Sequence, residues 1–102
     1  MVSPHPINAV MVGSKPTSNY VIAAVRMLSQ EGFNEVVVKA RGSNIAKAVE
    51  VVVRVQRVLP SISIKHINIF SEYHKDSSGR TRRFSAIEIV IAREAIQKSE
   101  RS

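Results

Sequence analysis

The sequence predicts an α+β domain with the element order β-α-β-α-β-β. Short runs of β-branched residues, of which Val36–Val38 is the clearest, suit buried strands. Two longer segments repeat apolar residues at helical spacing. A polar turn with a glycine separates the last two apolar runs, which is typical of an antiparallel hairpin. We therefore expect a two-layer sandwich in which strands joined by helices run parallel.

The composition predicts one basic domain covering residues 1–102. Apolar residues make up 44% of the 102 residues, which is enough for a core, and the net charge is +7. A small domain this basic usually binds a polyanion, with nucleic acid more frequent than a membrane. A protein whose charge serves only its solubility is the alternative.

Several classes of protein are excluded by what the sequence lacks. There is no cysteine, which excludes disulfides and thiolate metal sites. No apolar run approaches the roughly 20 residues of a membrane span, and the N-terminus lacks a signal-peptide pattern. We expect a soluble protein of the cytoplasm with no membrane partner.

The first half of the chain reads as strand, helix and strand. Residues 1–6 contain two prolines and are predicted to be a loose tail. Ile7–Val12 is the first strand, and the first helix covers about Thr17–Gln30, with Gly32 closing it. Glu35–Ala40 forms the second strand.

The turn after the second strand is the first candidate for a binding site. Gly42 permits a backbone angle that other residues avoid, and Ser43 or Asn44 can cap the following helix. Unpaired N–H groups at a helix start, with Arg41 beside them, favour an anion. Our hypothesis is that the anion is a nucleic-acid phosphate, although the turn alone is a weak motif without the glycines and lysine of a P-loop.

Two lysines extend this candidate site. Lys15 lies in the turn after the first strand, and the turns after two neighbouring parallel strands meet at one end of the sheet. We therefore expect Lys15 and Arg41 to lie on one edge of the domain. Lys47 falls on the polar stripe of the second helix, where a surface ion pair with Glu50 is the alternative to binding.

The second helix, about Asn44–Leu59, carries an apolar arc too wide for a helix packed on one sheet. The surplus predicts a partner chain, with Val51, Val55 and Val58 as interface residues. Burial of the whole helix within its own domain is the alternative. Pro60 ends the helix.

The last two strands are joined by a hairpin that we call the arm, residues 71–85. The alternation from Ile62 to Ile69 changes phase at Lys65–His66, which predicts a β-bulge. Ile87–Ile91 belongs to the last strand, Phe84 is predicted to be a core residue, and residues 97–102 are predicted to be a frayed tail.

The arm is the second candidate for a binding site. Its tip is predicted at Asp76–Gly79. A basic hairpin can reach into a DNA groove, where arginine meets a strongly negative potential; a solvated hairpin is the alternative. Its cations are Lys75, Arg80, Arg82 and Arg83.

The sequence contains no recognisable catalytic motif. The three histidines, His5, His66 and His74, lack a nucleophile or a carboxylate pair beside them, and no motif for a metal or a cofactor is present. We predict that the protein is not an enzyme and needs neither group. An enzyme that acts on a phosphorylated small molecule at the Gly42 turn is a minor alternative.

Three segments together have the pattern of a known family: VMVGSKPTSNYVIAAVRMLSQ, EVVVKARGSNIAKAVEVVV and GRTRRFSAIEIVIARE. They resemble the Alba proteins, the small basic chromatin proteins of archaea, and the resemblance extends from about Ile7 to Arg93. It implies a fold like the C-terminal domain of bacterial translation initiation factor 3, with an extended hairpin arm. It also implies a homodimer that binds double-stranded DNA with little sequence preference and compacts it on the chromosome, with RNA as the alternative ligand and a paralogue as an alternative partner.

The sequence departs from the family pattern at three positions. Ser14 stands where the family has a lysine subject to acetylation, Ser43 replaces a frequent arginine, and Val58 replaces an aromatic that packs dimer against dimer. These differences indicate a divergent paralogue. The candidate nucleic-acid-binding residues are Ser14, Lys15, Arg41, Gly42, Ser43, Asn44, Lys47, Lys75, Arg80, Arg82 and Arg83.

Overall fold

The computed structural model describes residues 7–94 of the chain. The predicted tails, residues 1–6 and 97–102, lie outside this range. The predicted order of elements is confirmed. The elements are β1 (Ala9–Met11), α1 (Thr17–Ser29), β2 (Glu35–Arg41), a 3-10 turn (Gly42–Asn44), α2 (Ile45–Val58), β3 (Ile62–Lys75) and β4 (Thr81–Arg93).

The four strands form one mixed sheet in the order β1-β2-β4-β3. β1 and β2 are parallel, while β4 is antiparallel to both of its neighbours. β2 and β3 therefore point the same way, with β4 between them. The predicted β-bulge is confirmed, because the register of β3 against β4 shifts between Ile64 and His66.

The core lies between the two helices and one face of the sheet. Alternate β2 residues, including Val36 and Val38, are fully buried on this face, opposite Ile91 and Ile89 of β4. Leu28 of α1 has no exposed surface. This burial of apolar side chains holds the helix layer against the sheet.

Helix α2 contributes four buried residues to this core, namely Ala48, Val51, Val52 and Val55. The prediction that Val51 and Val55 face a partner is therefore wrong, because both have 0% exposure within a single chain. Val58 is 56% exposed, but it lines a shallow groove with Ile22 and Val25 of α1. The arc of α2 is wide because α1 covers one part of it and the sheet another, while Val49 and Val53 on a third part stay exposed.

The predicted core position of Phe84 is also wrong. Phe84 is half-buried on the face of the sheet opposite the helices, where it pairs with Glu72 of β3. On the same face, Lys39 of β2 lies opposite Glu88 of β4, and their side chains form a 3.1 Å ion pair. Among residues 7–94, no helix is long and apolar enough to cross a membrane.

Candidate nucleic-acid interface

The two predicted turns lie at one end of the sheet. β1 and β2 are parallel neighbours, and the N–H of Val12 donates a 2.8 Å hydrogen bond to the carbonyl of Lys39, just before both strands end. The expectation that Lys15 and Arg41 lie at the same end of the sheet is confirmed, because they lie where two neighbouring parallel strands end. We call the two turns, residues 13–16 and 41–44, the basic end.

Both helices begin at the basic end without a side-chain cap. Pro16 precedes α1 and Asn44 precedes α2, neither side chain makes a capping hydrogen bond, and neither helix has an acidic residue in its first turn. The predicted cap by Ser43 or Asn44 is therefore wrong; α2 begins through the 3-10 turn, where Ile45 N–H donates to the carbonyl of Gly42. The positive ends of two helix dipoles point to this end, with no carboxylate in either first turn to offset them.

The first turn is held by a lysine from α2. Lys47 Nζ donates to the carbonyls of Gly13 and Lys15, at 2.7 and 2.8 Å. Lys47 is half-buried, and the ion pair with Glu50 does not form, since Glu50 pairs with Arg54 at 2.8 Å. Lys47 thus contacts protein, whereas Ser14 and Lys15 are exposed.

Arg41 in the second turn is exposed but already has partners. Its Nη1 lies 2.7 Å from His74 Nε2 and 3.9 Å from Glu72 Oε1, both on β3. Its guanidinium carbon lies 5.4 Å from the centroid of the Phe84 ring. Gly42 next to it has a φ of +58°, in the left-handed region that favours glycine.

The base of the arm carries a small cluster on the outer face of the sheet. Arg82 lies 5.6 Å above the Phe84 ring, on which Arg41 also stacks. His74 Nε2 is also 3.0 Å from Glu72 Oε1. One ring nitrogen accepts from Arg41 or donates to Glu72, but not both at once, so the cluster has two hydrogen-bonding arrangements.

The arm extends beyond the basic end. β3 runs in the direction of β2, and Arg41, the last residue of β2, pairs with Ala86, which in turn pairs with Phe70. The arm begins at the next pair, Ser71 with Ser85. The described residues consequently extend 62 Å along the longest axis against 30 and 22 Å along the others.

The tip of the arm forms the predicted turn. Asp76 Oδ1 accepts hydrogen bonds from the hydroxyl and N–H of Ser78 and from the N–H of Arg80, at 2.7 to 3.0 Å. The Ser78 hydroxyl and the Arg80 N–H together lower the pKa of Asp76 below its ordinary value. Gly79 has a φ of +89°. The tip is thus ordered by a carboxylate that stays ionised at neutral pH.

The four cations of the arm are exposed, and none of them forms an ion pair with an acidic side chain of residues 7–94. Arg83 donates a 2.9 Å hydrogen bond to the Ser71 hydroxyl across the arm. Within residues 7–94, no acidic side chain forms an ion pair with Lys15 or with the arm cations. The arm cations are Lys75, Arg80, Arg82 and Arg83.

An exposed apolar face lies beside α2, on the helix side of the sheet. β3 is one of the two edge strands; Ile62 at its start is buried in the core, whereas the later apolar side chains of β3 that point to the helix layer stay exposed. A groove lined by Ile45, Ile69 and Ile87 joins the start of α2 to this strand. We call it the β3 face; its exposed members are Val49, Val53, Ile64, Ile67 and Ile69.

Sequence reasoning missed several of these features. The sequence shows the alternation of Ile67 and Ile69, but this pattern does not reveal that no helix covers the two side chains. Glu72 and His74 were assigned no role, although their spacing of two places both on one face of a strand, beside Arg41. Tyr20 was considered only as a ring that could stack on a base, whereas in the structure its hydroxyl accepts a 3.0 Å hydrogen bond from the N–H of Lys15.

The described chain is therefore a small basic α+β domain with cations at one end of its sheet and on an arm that projects from that end. The Alba family model matches residues 8–71, more than half of the sequence. The chain belongs to the Alba family.

Relatives and solved structures agree with this assignment. A protein of Methanococcus maripaludis, named DNA/RNA-binding protein Alba, is 39% identical over 85 residues, which cover 82% of this chain and 96% of the relative. A protein of the same name from Pyrobaculum islandicum is 46% identical over 84 residues, covering 80% and 90%. The structure of Alba from Thermoplasma volcanium superposes with a TM-score of 0.78 at 34% identity, covering 84% of this chain and all of that one.

Proposed function

We propose that this chain binds nucleic acid, and that its principal ligand is double-stranded DNA bound with little sequence preference. The observation that carries the proposal is the common direction of three basic elements. The turns with Lys15 and Arg41 lie at the end of the sheet from which the arm projects. A duplex laid across this end meets both turns and both uncapped helix starts, while the arm reaches further along it.

The chemistry of these groups favours the sugar–phosphate backbone over the base edges. Exposed lysine and arginine side chains and helix N-termini are typical phosphate ligands, and phosphate contacts give affinity without sequence information. The arm has three aromatic rings, Tyr73, His74 and Phe84, of which Phe84 is occupied by Arg41 and Arg82, and His74 contacts Arg41 and Glu72. Sequence-specific readout therefore has few candidate groups.

The proposal predicts a steep dependence of binding on salt. Each phosphate neutralised contributes about −0.9 to the slope of log K against log salt. Since Lys15, Arg41 and the four arm cations are exposed, a slope of up to about −5 per chain is expected if all of them engage. Fluorescence anisotropy with duplexes of unrelated sequence measures it. A flat dependence, or one duplex bound far more tightly than the others, contradicts the proposal.

RNA is the second candidate ligand. The curated relatives carry both DNA and RNA in their names, and a surface that contacts phosphates accepts either polymer. Competition between duplex DNA and structured RNA at matched salt decides which is preferred. A clear preference for RNA makes a ribonucleoprotein, rather than the chromosome, the site of action.

We further propose that two copies associate through the β3 face. Edge strands with apolar side chains promote association unless something covers them, and a second copy supplies an identical apolar face. The dimer brings two basic ends and two arms to one duplex, which is the arrangement needed for compacting DNA. A paralogue with the same face would form a heterodimer by the same contacts.

Glu72 is expected to weaken nucleic-acid binding, because its carboxylate lies at the basic end beside Arg41. Replacing Glu72 with Gln frees Arg41 and removes a negative charge facing the ligand. We expect duplex affinity to rise about two- to fivefold, the size of an exposed ion pair. Anisotropy titration measures the change.

Glu31→Gln is the matched control for this variant. Both variants replace one glutamate with glutamine, so they change the net charge by the same amount. Glu31, however, is exposed and follows the C-terminal end of α1, away from the basic end. An equal gain in both variants would mean that only overall charge matters. A loss in Glu72→Gln would mean that Glu72 holds Arg41 in its binding position.

A further inference from the structure

We infer that Lys47 is a positioning residue of the nucleic-acid interface, and that it acts by holding the turn that carries Lys15. This inference rests on the proposed function and assigns a role within it. Lys47 belongs to α2, whereas the turn follows β1, so the contact links two elements distant in sequence. Lys47 thus connects the first turn of the basic end with the helix that follows the second turn.

The ammonium of Lys47 is committed to the turn. Two of its three N–H donors bond the carbonyls of Gly13 and Lys15, at 2.7 and 2.8 Å. The ammonium also lies 6.0 Å from the centroid of the Tyr20 ring. Little donor capacity remains for a phosphate, so Lys47 differs from the exposed cations of the interface.

Tyr20 completes the arrangement from α1. Its hydroxyl accepts a 3.0 Å hydrogen bond from the N–H of Lys15. The backbone of Lys15 is thus held on both sides, through its carbonyl by Lys47 and through its N–H by Tyr20. Both Lys47 and Tyr20 are half-buried, and their positions are fixed by the helices that carry them.

This arrangement has two consequences for an anionic ligand. Two carbonyl oxygens, which would repel a phosphate, instead accept from a cation. The backbone beneath the exposed Lys15 side chain is ordered before binding, so that less conformational entropy is lost when the side chain meets a phosphate. Lys47 therefore strengthens binding without contacting the ligand.

The first test is hydrogen exchange of the Lys15 amide in the free full-length protein. Lys47→Met and Tyr20→Phe are each expected to accelerate this exchange, while the thermal unfolding midpoint reports whether the fold persists. Arg57→Met is the matched control, because it removes a cation ten residues further along α2, about 15 Å away by helix geometry. Unchanged exchange in Lys47→Met overturns the inference, and this outcome does not depend on nucleic-acid binding.

The second test is binding of a mixed-sequence duplex over a range of salt. Lys47→Met is expected to lower affinity about three- to tenfold, the cost of ordering mobile groups on binding, and to keep the salt slope of the unmodified protein. Lys15→Met is expected to reduce the slope by about 0.9 per chain. In the double variant, the Lys47 change should cost little more, because its effect passes through Lys15.

The possible results separate the inference from the proposed function. A slope reduced by about 0.9 in Lys47→Met, additive with Lys15→Met, would make Lys47 a phosphate ligand and overturn the inference. If Lys47→Met does not fold, Tyr20→Phe takes its place. Faster exchange of the Lys15 amide and weaker duplex binding in Tyr20→Phe support the inference, and unchanged values overturn it. If the unmodified protein shows no salt-dependent binding, the proposed function fails, while the exchange experiment still reports on the turn.

Discussion

Replacing Arg80, Arg82 and Arg83 with alanine is expected to weaken duplex binding about 10³-fold or more near 0.1 M salt, since each hydrogen bond to a charged group contributes about 1.5 kcal/mol or more and three are removed. The three side chains are exposed on the arm. The salt slope should fall by up to about 2.7 per chain if each arginine neutralises one phosphate. All duplex sequences should lose affinity nearly equally, which anisotropy titration over several salt concentrations will show.

The matched control removes three arginines from the opposite end of the molecule. Arg26, Arg57 and Arg93 lie near the C-terminal ends of α1, α2 and β4, away from the arm. Their replacement by alanine changes the net charge equally, but we expect a much smaller loss of affinity and an almost unchanged slope. Equal losses in the two triple variants would exclude the arm as a specific binding element.

Replacing Ile67 with aspartate is expected to convert the proposed dimer to a monomer. Ile67 is 53% exposed in the single chain, so the charge is tolerated when the chain is alone. In a dimer formed through the β3 face, the carboxylate would lose its water without gaining a partner, at a cost of several kcal/mol. The dimer dissociation constant should therefore rise on the order of 10³-fold or more; sedimentation equilibrium measures it.

A second aspartate variant provides the control for the dimer. Ile22 is 56% exposed on α1, in the groove that contains Val58. Ile22→Asp introduces the same charge but should leave the dimer intact. If Ile22→Asp dissociates the dimer and Ile67→Asp does not, the partner binds at the groove on α1. That result would agree with the prediction that Val58 is an interface residue. Duplex affinity should fall with loss of the dimer, because two linked sites bind more tightly than one.

Much of the fold could be predicted because it depends on local patterns. Apolar spacing placed both helices, and the phase change at Lys65–His66 placed the β-bulge. The polar segment Asp76–Gly79 located the tip of the arm, since its turn is ordered by hydrogen bonds within the turn. Even the shared position of Lys15 and Arg41 followed from a rule, namely that neighbouring parallel strands end together.

Other features were out of reach because they depend on which surfaces meet. Val51, Val55 and Val58 repeat at the spacing of one helix face, yet two of them are covered by the chain's own core and the third is not. Phe84 has a large apolar side chain of the kind found in cores, but its position in β4 places it on the face of the sheet without helices. Apolarity alone does not state which face of a sheet a second layer will cover.

The sequence by itself determined the α+β class, the order of the elements, the positions of the two turns and the arm, and the large positive charge. The charge follows from composition alone, and the other features depend on residues close together along the chain. Only the tertiary structure decided that Lys47 bonds the turn of Lys15, that Arg41 is shared among His74, Glu72 and Phe84, and that the β3 face is uncovered. The physical reason is that these contacts join residues tens of positions apart, and their partners are selected by the packing of the helices on the sheet.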